Sequence, residues 1–375
     1  MGNYDKLWKW LKDNSAEKYQ GGHAIHTPKK LTKDIISKID LEHKQILTLY
    51  NVEFVISLIE LGIDPEHIAF YSDHTHKSIL VQKLGVNKVM TDLKDSKKFD
   101  VVLGNPPFQK VAGKSKVGIG TTLIKQFYDD LVKDGGILAM VSNTNFLGGG
   151  QKGLGYLFSE NEVIDIQLNH KHHFPKIGVD IGSFIIKKTK PSSTVIKVEN
   201  NGSKMNIDTS LYQYEGKKGY IPRNVNANTL PILSKILSYN EKIFDFRASN
   251  NKEAKYKVGF WAGANTGIHA RYLKITRDTS FTDKNIDHPC SLDKDYPDDN
   301  LKAVFAGKLF HFVITMINGN QSDRRPANLS FFPKVDLDVK WTFDTLSKEF
   351  GLTEKEKNIV LDWANTTRKN VEWHD

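Results

Sequence analysis

The stretch Lys98–Lys110 reads KFDVVLGNPPFQK, and its second half cannot continue what its first half begins. Phe99 to Gly104 is an apolar, β-branched run suited to a strand. Neither proline after Asn105 carries an N–H for a sheet ladder, so the strand must stop there. The residue before a proline is pushed out of the helical region, so Asn105 is held extended with Pro106 rigid behind it. One amide, one carbonyl and one aromatic ring are thereby fixed beyond a strand's carboxyl end.

Working outward, the first 190 residues alternate strand-like and helix-like runs. QILTLY (Gln45–Tyr50), HIAFYSD (His67–Asp73), KVMTD (Lys88–Asp92) and FDVVLG (Phe99–Gly104) read as four strands. Apolar helical patterns after Phe54 and in HKSILVQKLG separate the first three. A longer helix from Thr121 to Lys133 leads through Asp134-Gly135-Gly136 into a fifth strand, ILAMVS. VIDIQLN (Val163–Asn169) and SFIIKKT (Ser183–Thr189) follow, the latter as a hairpin partner. This alternation predicts an α/β fold with a doubly wound, mostly parallel sheet. In such sheets ligands bind beyond the carboxyl ends of the strands. Asn51, Asp73, Asp92 and Asn105 each fall at or just past such an end, so four polar positions are expected to share one crevice.

From residue 190 the texture changes: KPSSTVIKVENNGSK is linker-like, and short β-rich pieces with tyrosines and basic residues follow. The last segment carries two helical patterns, the second opened by Thr353 with Glu356 three residues on, a capping-box spacing. The chain has 375 residues, 39% of them hydrophobic, with one cysteine and a formal net charge of +9. A lone Cys290 excludes an intrachain disulfide framework and the usual cysteine-based zinc sites, and fits a reducing cytoplasm. No uninterrupted apolar run of about 18 residues and no signal-like N-terminus are present, so no membrane role is expected. The basic balance suits a polyanionic partner.

The turn Asn105-Pro106-Pro107-Phe108 after FDVVLG resembles the catalytic motif of N6-adenine DNA methyltransferases that use S-adenosylmethionine. Upstream, GGHAIHTPKKLTKDIISKI (Gly21–Ile39) is similar to the Thr-Pro motif that precedes the nucleotide-binding strands in the gamma class. GTTLIKQFYDDLVKDGGILAMVSNTNFLG and HHFPKIGVDIGSFIIKK are similar to the helix–strand unit and closing hairpin that follow. The resemblance covers roughly residues 20 to 190, and more loosely NLSFFPKVDL (Asn328–Leu337). It implies a Rossmann-like methyltransferase domain over residues 1–195 and a mixed α+β DNA target-recognition domain over 196–375.

By the same resemblance Asn105, Pro106, Pro107 and Phe108 are catalytic. Thr27, Pro28, Tyr50, Asn51, Glu53, Asp73 and Asp92 bind the cofactor, with Asp73 on the ribose, Asp92 on the adenine amine and Glu53 on the methionine amine. An exocyclic amine conjugated with its ring is a poor nucleophile. Two fixed acceptors, the Asn105 side-chain oxygen and the Pro106 carbonyl, would favour a pyramidal nitrogen with its lone pair aimed at the methyl group. Phe108 offers a face for stacking, and a duplex base reaches such a crevice only by flipping out.

Lys110, Lys114 and Lys116, in the loop after the turn, are candidate DNA contacts or ordinary solvated lysines. Arg271, Arg324 and Arg325 are candidate base or phosphate readers in the C-terminal region. The histidines of NHKHHFP fit a solvated or DNA-facing loop rather than a metal site, and Trp8 and Trp10 fit the covering of a hydrophobic edge. The implied partners are double-stranded DNA and a cognate restriction nuclease, in the cytoplasm of a bacterial or phage-infected cell.

One departure is plain. The family's glycine-rich loop after the first strand is absent: ILTLYNVEFVISLIELG has no glycine before Gly62, and Asn51 is the residue there most tolerant of positive φ. Two further readings therefore stay open: a catalytically weak or silent DNA-binding or specificity protein, and a methyltransferase acting on a glutamine side chain or an RNA base.

Overall fold

The computed structural model describes residues 3–15, 26–93, 97–112, 115–148, 153–174, 180–212, 221–240, 244, 256–260, 273–276, 288–318, 331–367 and 373. The chain divides into two compact units, Met1–Ser210 and Leu211–Asp375.

In the first unit the strands are β1 (Ile46–Leu49), β2 (Ile68–Tyr71), β3 (Lys88–Met90), β4 (Phe99–Gly104), β5 (Gln109–Ala112), β6 (Ser115–Gly118), β7 (Val132–Asn143), β8 (Glu162–Leu168), β9 (Ile181–Lys187), β10 (Val195–Asn200) and β11 (Ser203–Asp208). The helices are α1 (Asn3–Ser15), α2 (Lys29–Ile36), α3 (Val52–Glu60), α4 (Thr75–Lys83), α5 (Gly120–Leu131) and α6 (Gly155–Glu160). Among the described residues the main sheet has nine strands in the order β11-β10-β8-β9-β7-β4-β1-β2-β3. β1 pairs parallel with β2 and β4, β2 with β3, and β4 with β7. β9 enters antiparallel between β7 and β8, as the hairpin reading of SFIIKKT requires. This is the α/β fold with a mostly parallel sheet expected from the alternation.

Strands buried on both faces explain the near-continuous apolar runs of β1 and β4. α2 and α3 pack against each other, with the hydroxyls of Thr32 and Ser57 bonded at 2.7 Å inside that contact and Glu60 of α3 paired with Lys29 and Lys33 of α2. Trp8 of α1 is buried and donates to Glu60, whereas Trp10 on the same helix is half exposed, so only one tryptophan covers the core.

Two segments differ from their expectation. The glycine- and lysine-rich stretch after the Pro-Pro turn is not a featureless loop: β5 and β6 pair as an antiparallel hairpin, Lys110 opposite Val117 and Val111 opposite Lys116. The linker-like KPSSTVIKVENNGSK is not a linker: β10 and β11 extend the main sheet, turning at Asn201 (φ +50) and Gly202 (φ +77). Alternate residues Ile196, Val198, Met205 and Ile207 are buried on one face, a period-2 signal that the preceding Pro-Ser-Ser concealed.

The second unit holds the three-stranded sheet β12 (Tyr256–Phe260), β13 (Leu273–Thr276) and β14 (His288–Leu292), ordered β13-β12-β14. Its helices include α7 (Thr229–Leu237), α8 (Asp298–Phe305) and α9 (Lys308–Asn318). Residues 298–317 are apolar and long enough to cross a membrane, but 83% of that window is buried, as befits core helices. The helix Glu354–Thr367 begins with the expected capping box, Thr353 N donating to Glu356 at 2.8 Å and Glu356 N to Thr353 Oγ1 at 3.3 Å.

Two outcomes test this packing. Gly104 pairs with Leu49, and a Cβ there would lie 2.9 Å from Leu49 Cβ and 3.0 Å from its carbonyl oxygen. Gly104→Ala should cost about 1–3 kcal/mol in urea unfolding, because two central strands must part to admit it. His170, just after β8, is buried and bonded to Ser183 Oγ of β9 at 2.8 Å. Burial, then His173 and His172, push its pKa down from 6.5 to about 4. Below pH 6.5 the unfolded chain takes up a proton that the folded His170 refuses until about pH 4, so stability rises with pH across that window. Lowering the pH from about 7 to about 5 should cost about 2 kcal/mol through this residue, and His170→Asn should remove that slope in denaturant titrations.

Candidate functional site

The carboxyl ends of β3, β2, β1 and β4 lie side by side, so Asp92, Asp73, Asn51 and Asn105 stand in a row along one sheet edge. Asn105 is fully buried, and Pro106, Pro107 and Phe108 after it are buried as well. The turn is therefore a closed part of the interior. Asn105 Nδ2 donates to Thr27 Oγ1 at 3.0 Å, and Asn51 Nδ2 to the same oxygen at 3.3 Å. The nitrogen of the Asn105 amide points at Thr27, so its oxygen is turned the other way. Pro28 (φ −59) stands at the N-cap of α2 and sets Thr27 between the two strand ends. Phe108 O accepts from Ile119 N at 3.1 Å and Gly120 N at 3.4 Å, so the β5–β6 hairpin leaves and returns at the same residue.

Beyond β1 the turn is short. Tyr50, not Asn51, takes the positive φ (+67), and Asn51 is extended at φ −115. The residue there most tolerant of positive φ is thus not the one that takes it. Tyr50 N donates to Tyr71 O at 2.7 Å, and Lys77 Nζ of α4 to Tyr50 O at 2.8 Å, which ties both polar backbone groups of the strained residue. The Tyr50 ring is buried edge-on to Tyr71, centroids 5.4 Å apart, and tilted against Phe127 at 6.3 Å. Burial, then Tyr71 and Asp73, push the Tyr50 phenol well above its usual range. Burial lowers the Lys77 ammonium even though Glu53 and Asp73 pull it up.

Glu53, in the first turn of α3, is also buried, and His26 Nδ1 lies 2.5 Å from its Oε1. Burial alone would raise this carboxyl; the bond and charge of His26, with Lys77 beyond, hold it below the usual range. His26 and Lys77 are the functional candidates that sequence reasoning missed. His26 adjoins the Thr-Pro pair and was open to notice, whereas nothing in HKSILVQKLG marks Lys77 as half-buried and bonded to Tyr50.

A cavity of about 530 Å³ opens between Tyr50, Tyr71 and Asp92 on one side and Leu123, Gln126 and Phe127 of α5 on the other. Asp92 is exposed, and the Asp73 side chain, 3.6 Å from His74, is 60% exposed. Aromatic walls with a carboxylate suit a planar heterocycle carrying an amine, and Asp73 suits vicinal hydroxyls. Glu53 is closed off by His26, so of the expected cofactor residues Tyr50 and Asp92 line this cavity while Asp73 is open to solvent. An aromatic wall with one carboxylate would suit the adenosine part of S-adenosylmethionine. Of the candidate DNA contacts, Lys110 and Lys116 sit on the hairpin strands β5 and β6. Lys114, Arg271, Arg324 and Arg325 lie outside the described residues. The histidine run does not form one solvated loop, since His170 is buried while His172 is exposed.

Residues 64–171 match the family model "Methyltransferase small domain". No curated protein matches the chain. Among solved structures, a modification subunit of a putative type I restriction enzyme from Vibrio vulnificus aligns at 15% identity and TM-score 0.40, covering 58% of this chain and 52% of that one. A type I restriction-modification methyltransferase subunit from Streptococcus thermophilus aligns at 15% identity and TM-score 0.39, covering 57% and 53%. A putative class I S-adenosylmethionine-dependent methyltransferase from Listeria monocytogenes aligns at 14% identity and TM-score 0.40, covering 53% and 73%. The chain thus spans about half the length of the two restriction-system subunits. The family match lies wholly within the first unit, whose sheet has a methyltransferase-like topology.

Thr27→Val keeps the shape of the side chain and removes the acceptor shared by Asn51 and Asn105. Two buried N–H groups then lose a partner, and urea unfolding should show a loss of about 2–4 kcal/mol. An unchanged midpoint would mean that the two amides do not depend on Thr27.

Proposed function

We propose that the chain transfers a methyl group from S-adenosylmethionine to N6 of adenine in double-stranded DNA, as the modification partner of a restriction nuclease. The observation that carries the reading is the Asn105 turn itself. A proline-stiffened amide stands at the carboxyl end of β4, held by the Thr-Pro segment, on the edge that also carries Asp73 and Asp92. When bound, the cofactor supplies a methyl group made electrophilic by its sulfonium. Thr27 fixes the amide nitrogen of Asn105, so its oxygen and the Pro106 carbonyl accept from the target amine. Phe108 stacks on the flipped base. Because Asn105 is fully buried, the base enters only as the cover over that amide opens. The basic net charge of +9 favours the polyanionic substrate, and the cytoplasm of a bacterial or phage-infected cell is the setting proposed for it.

A second reading has its own observation. The shortened turn after β1 puts the buried Tyr50 ring where a cofactor-binding loop would run, which suits a silent protein that binds DNA without methylating it.

Incubation with tritiated cofactor and duplex DNA, followed by sequencing of modified bases, separates the two. Label on adenine N6 is expected, and Asn105→Ala should lower the transfer rate by about 100–1,000-fold. DNA binding without transfer, together with no cofactor heat by calorimetry, would select the silent reading.

A further inference from the structure

β1, β2, β3, β4, β7, β8 and β10 all point the same way, so their carboxyl ends share one edge. Along that edge the character of the side chains changes. The β1–β3 half carries Glu53, Asp73 and Asp92. Beyond β4, the half formed by β8 and β10 carries the His170–His173 turn and the Asn201-Gly202 turn.

An open groove of about 960 Å³ lies at this second half, floored by β8, β10 and β11 and walled by α2. Four lysines (Lys30, Lys38, Lys197, Lys204) and three carboxylates (Asp34, Asp165, Glu199) line it. Lys38 lies 3.0 Å from both Asp34 and Asp165 and so offsets one of their two charges, and Gln167 Nε2 donates to Asp34 at 3.1 Å. The third, Glu199, stands opposite Lys204 in the β10–β11 ladder. Lys30, Lys197 and Lys204 are exposed and make no ion pair among the described residues. His172 and His173, tilted against each other with centroids 4.0 Å apart, also line it.

The three exposed lysines stand on three different elements, one on the helix wall and two on the hairpin floor, which suits a chain of phosphates. The wall also leads to the reacting position. Lys30 comes three residues after Thr27, the residue that holds Asn105.

We propose that this groove carries the sugar-phosphate backbone of the nucleic-acid strand adjoining the nucleotide offered to Asn105. The inference rests on reading the chain as a nucleic-acid methyltransferase, and it gives the first unit its own grip on the substrate apart from the target-recognition region.

The test uses the full chain with Lys30→Glu, Lys197→Glu and Lys204→Glu, singly and combined, and Lys83→Glu, an exposed lysine of α4 outside the groove, as a control matched in charge to each single variant. Fluorescence anisotropy with a labelled duplex and its single strand is recorded over a range of salt, and cofactor binding by calorimetry. The triple variant should raise Kd more than about tenfold and flatten the slope of log K against log salt by about 0.9 per lysine. Lys83→Glu and cofactor binding should stay at wild-type values. A triple variant with wild-type Kd and salt slope overturns the groove, as does a wild-type chain that binds neither DNA. DNA binding lost in the triple variant but no methyl transfer by wild type leaves the groove standing and removes the enzyme reading. Wild-type methylation that the triple variant matches in binding and rate does the reverse.

Discussion

The hydroxyl of Thr27 accepts one N–H from Asn105 and another from Asn51, and so joins the start of α2 to the ends of β4 and β1. All three residues are buried. A buried amide N–H without a partner costs about 1–3 kcal/mol, so neither asparagine can leave this arrangement cheaply. The Thr-Pro segment is therefore more than a neighbour of the site. Pro28 fixes the backbone at the helix entrance, Thr27 faces inward because of it, and the amide beyond β4 acquires one orientation. Fold and candidate chemistry share the same few atoms.

The turn after β1 shows a different balance. A tyrosine at φ +67 is strained by about 1–2 kcal/mol relative to an ordinary backbone. The strain is offset locally: both polar backbone groups of Tyr50 are bonded, one to Tyr71 and one to Lys77, and the ring is buried against Tyr71 and Phe127. Lys77 holds the turn from outside, at the cost of keeping its ammonium in a place that burial disfavours. Glu53 is held in a similar way by His26. The missing glycines are thus replaced by a set of bonds that fix a different surface, an aromatic wall instead of a loop of backbone amides.

Much of the sheet was legible because its signals are local. βα alternation marked β1 to β4, and prolines marked the end of β4. The Thr353–Glu356 spacing marked a helix start. What was hidden depends on contacts remote in sequence. Nothing around Tyr50 announces positive φ, because the bonds that permit it come from Tyr71 and Lys77. Nothing in NHKHHFP separates His170 from His172, because the partner of His170 is Ser183 on another strand. β10 was masked by the Pro-Ser-Ser before it, although its own alternation was present. In the candidate site the residues supplied by motif, Thr27 and Asn105, could be named in advance. Of the residues that hold their neighbours in place, His26 stood beside the motif and was open to notice, whereas Lys77 could not be named.

The distribution of charge along the sheet edge bears on the proposed reaction as a whole. A methyl donor carrying a sulfonium and an ammonium is cationic where it reacts, whereas a nucleic acid is a polyanion. One edge can hold both only if its two halves differ. Glu53, Asp73 and Asp92 stand past β1, β2 and β3, the exposed Lys30, Lys197 and Lys204 line the groove by β8 and β10 beside Asp34, Asp165 and Glu199, and β4 lies between. At that boundary Asn105 contributes a neutral amide. A carboxylate there would attract the cationic donor and repel phosphate, and a lysine would do the opposite. An amide accepts from an amine without favouring either partner and does not titrate across the physiological range. Its value lies in its fixed direction, which is what the proline behind it and the Thr27 hydroxyl beside it provide.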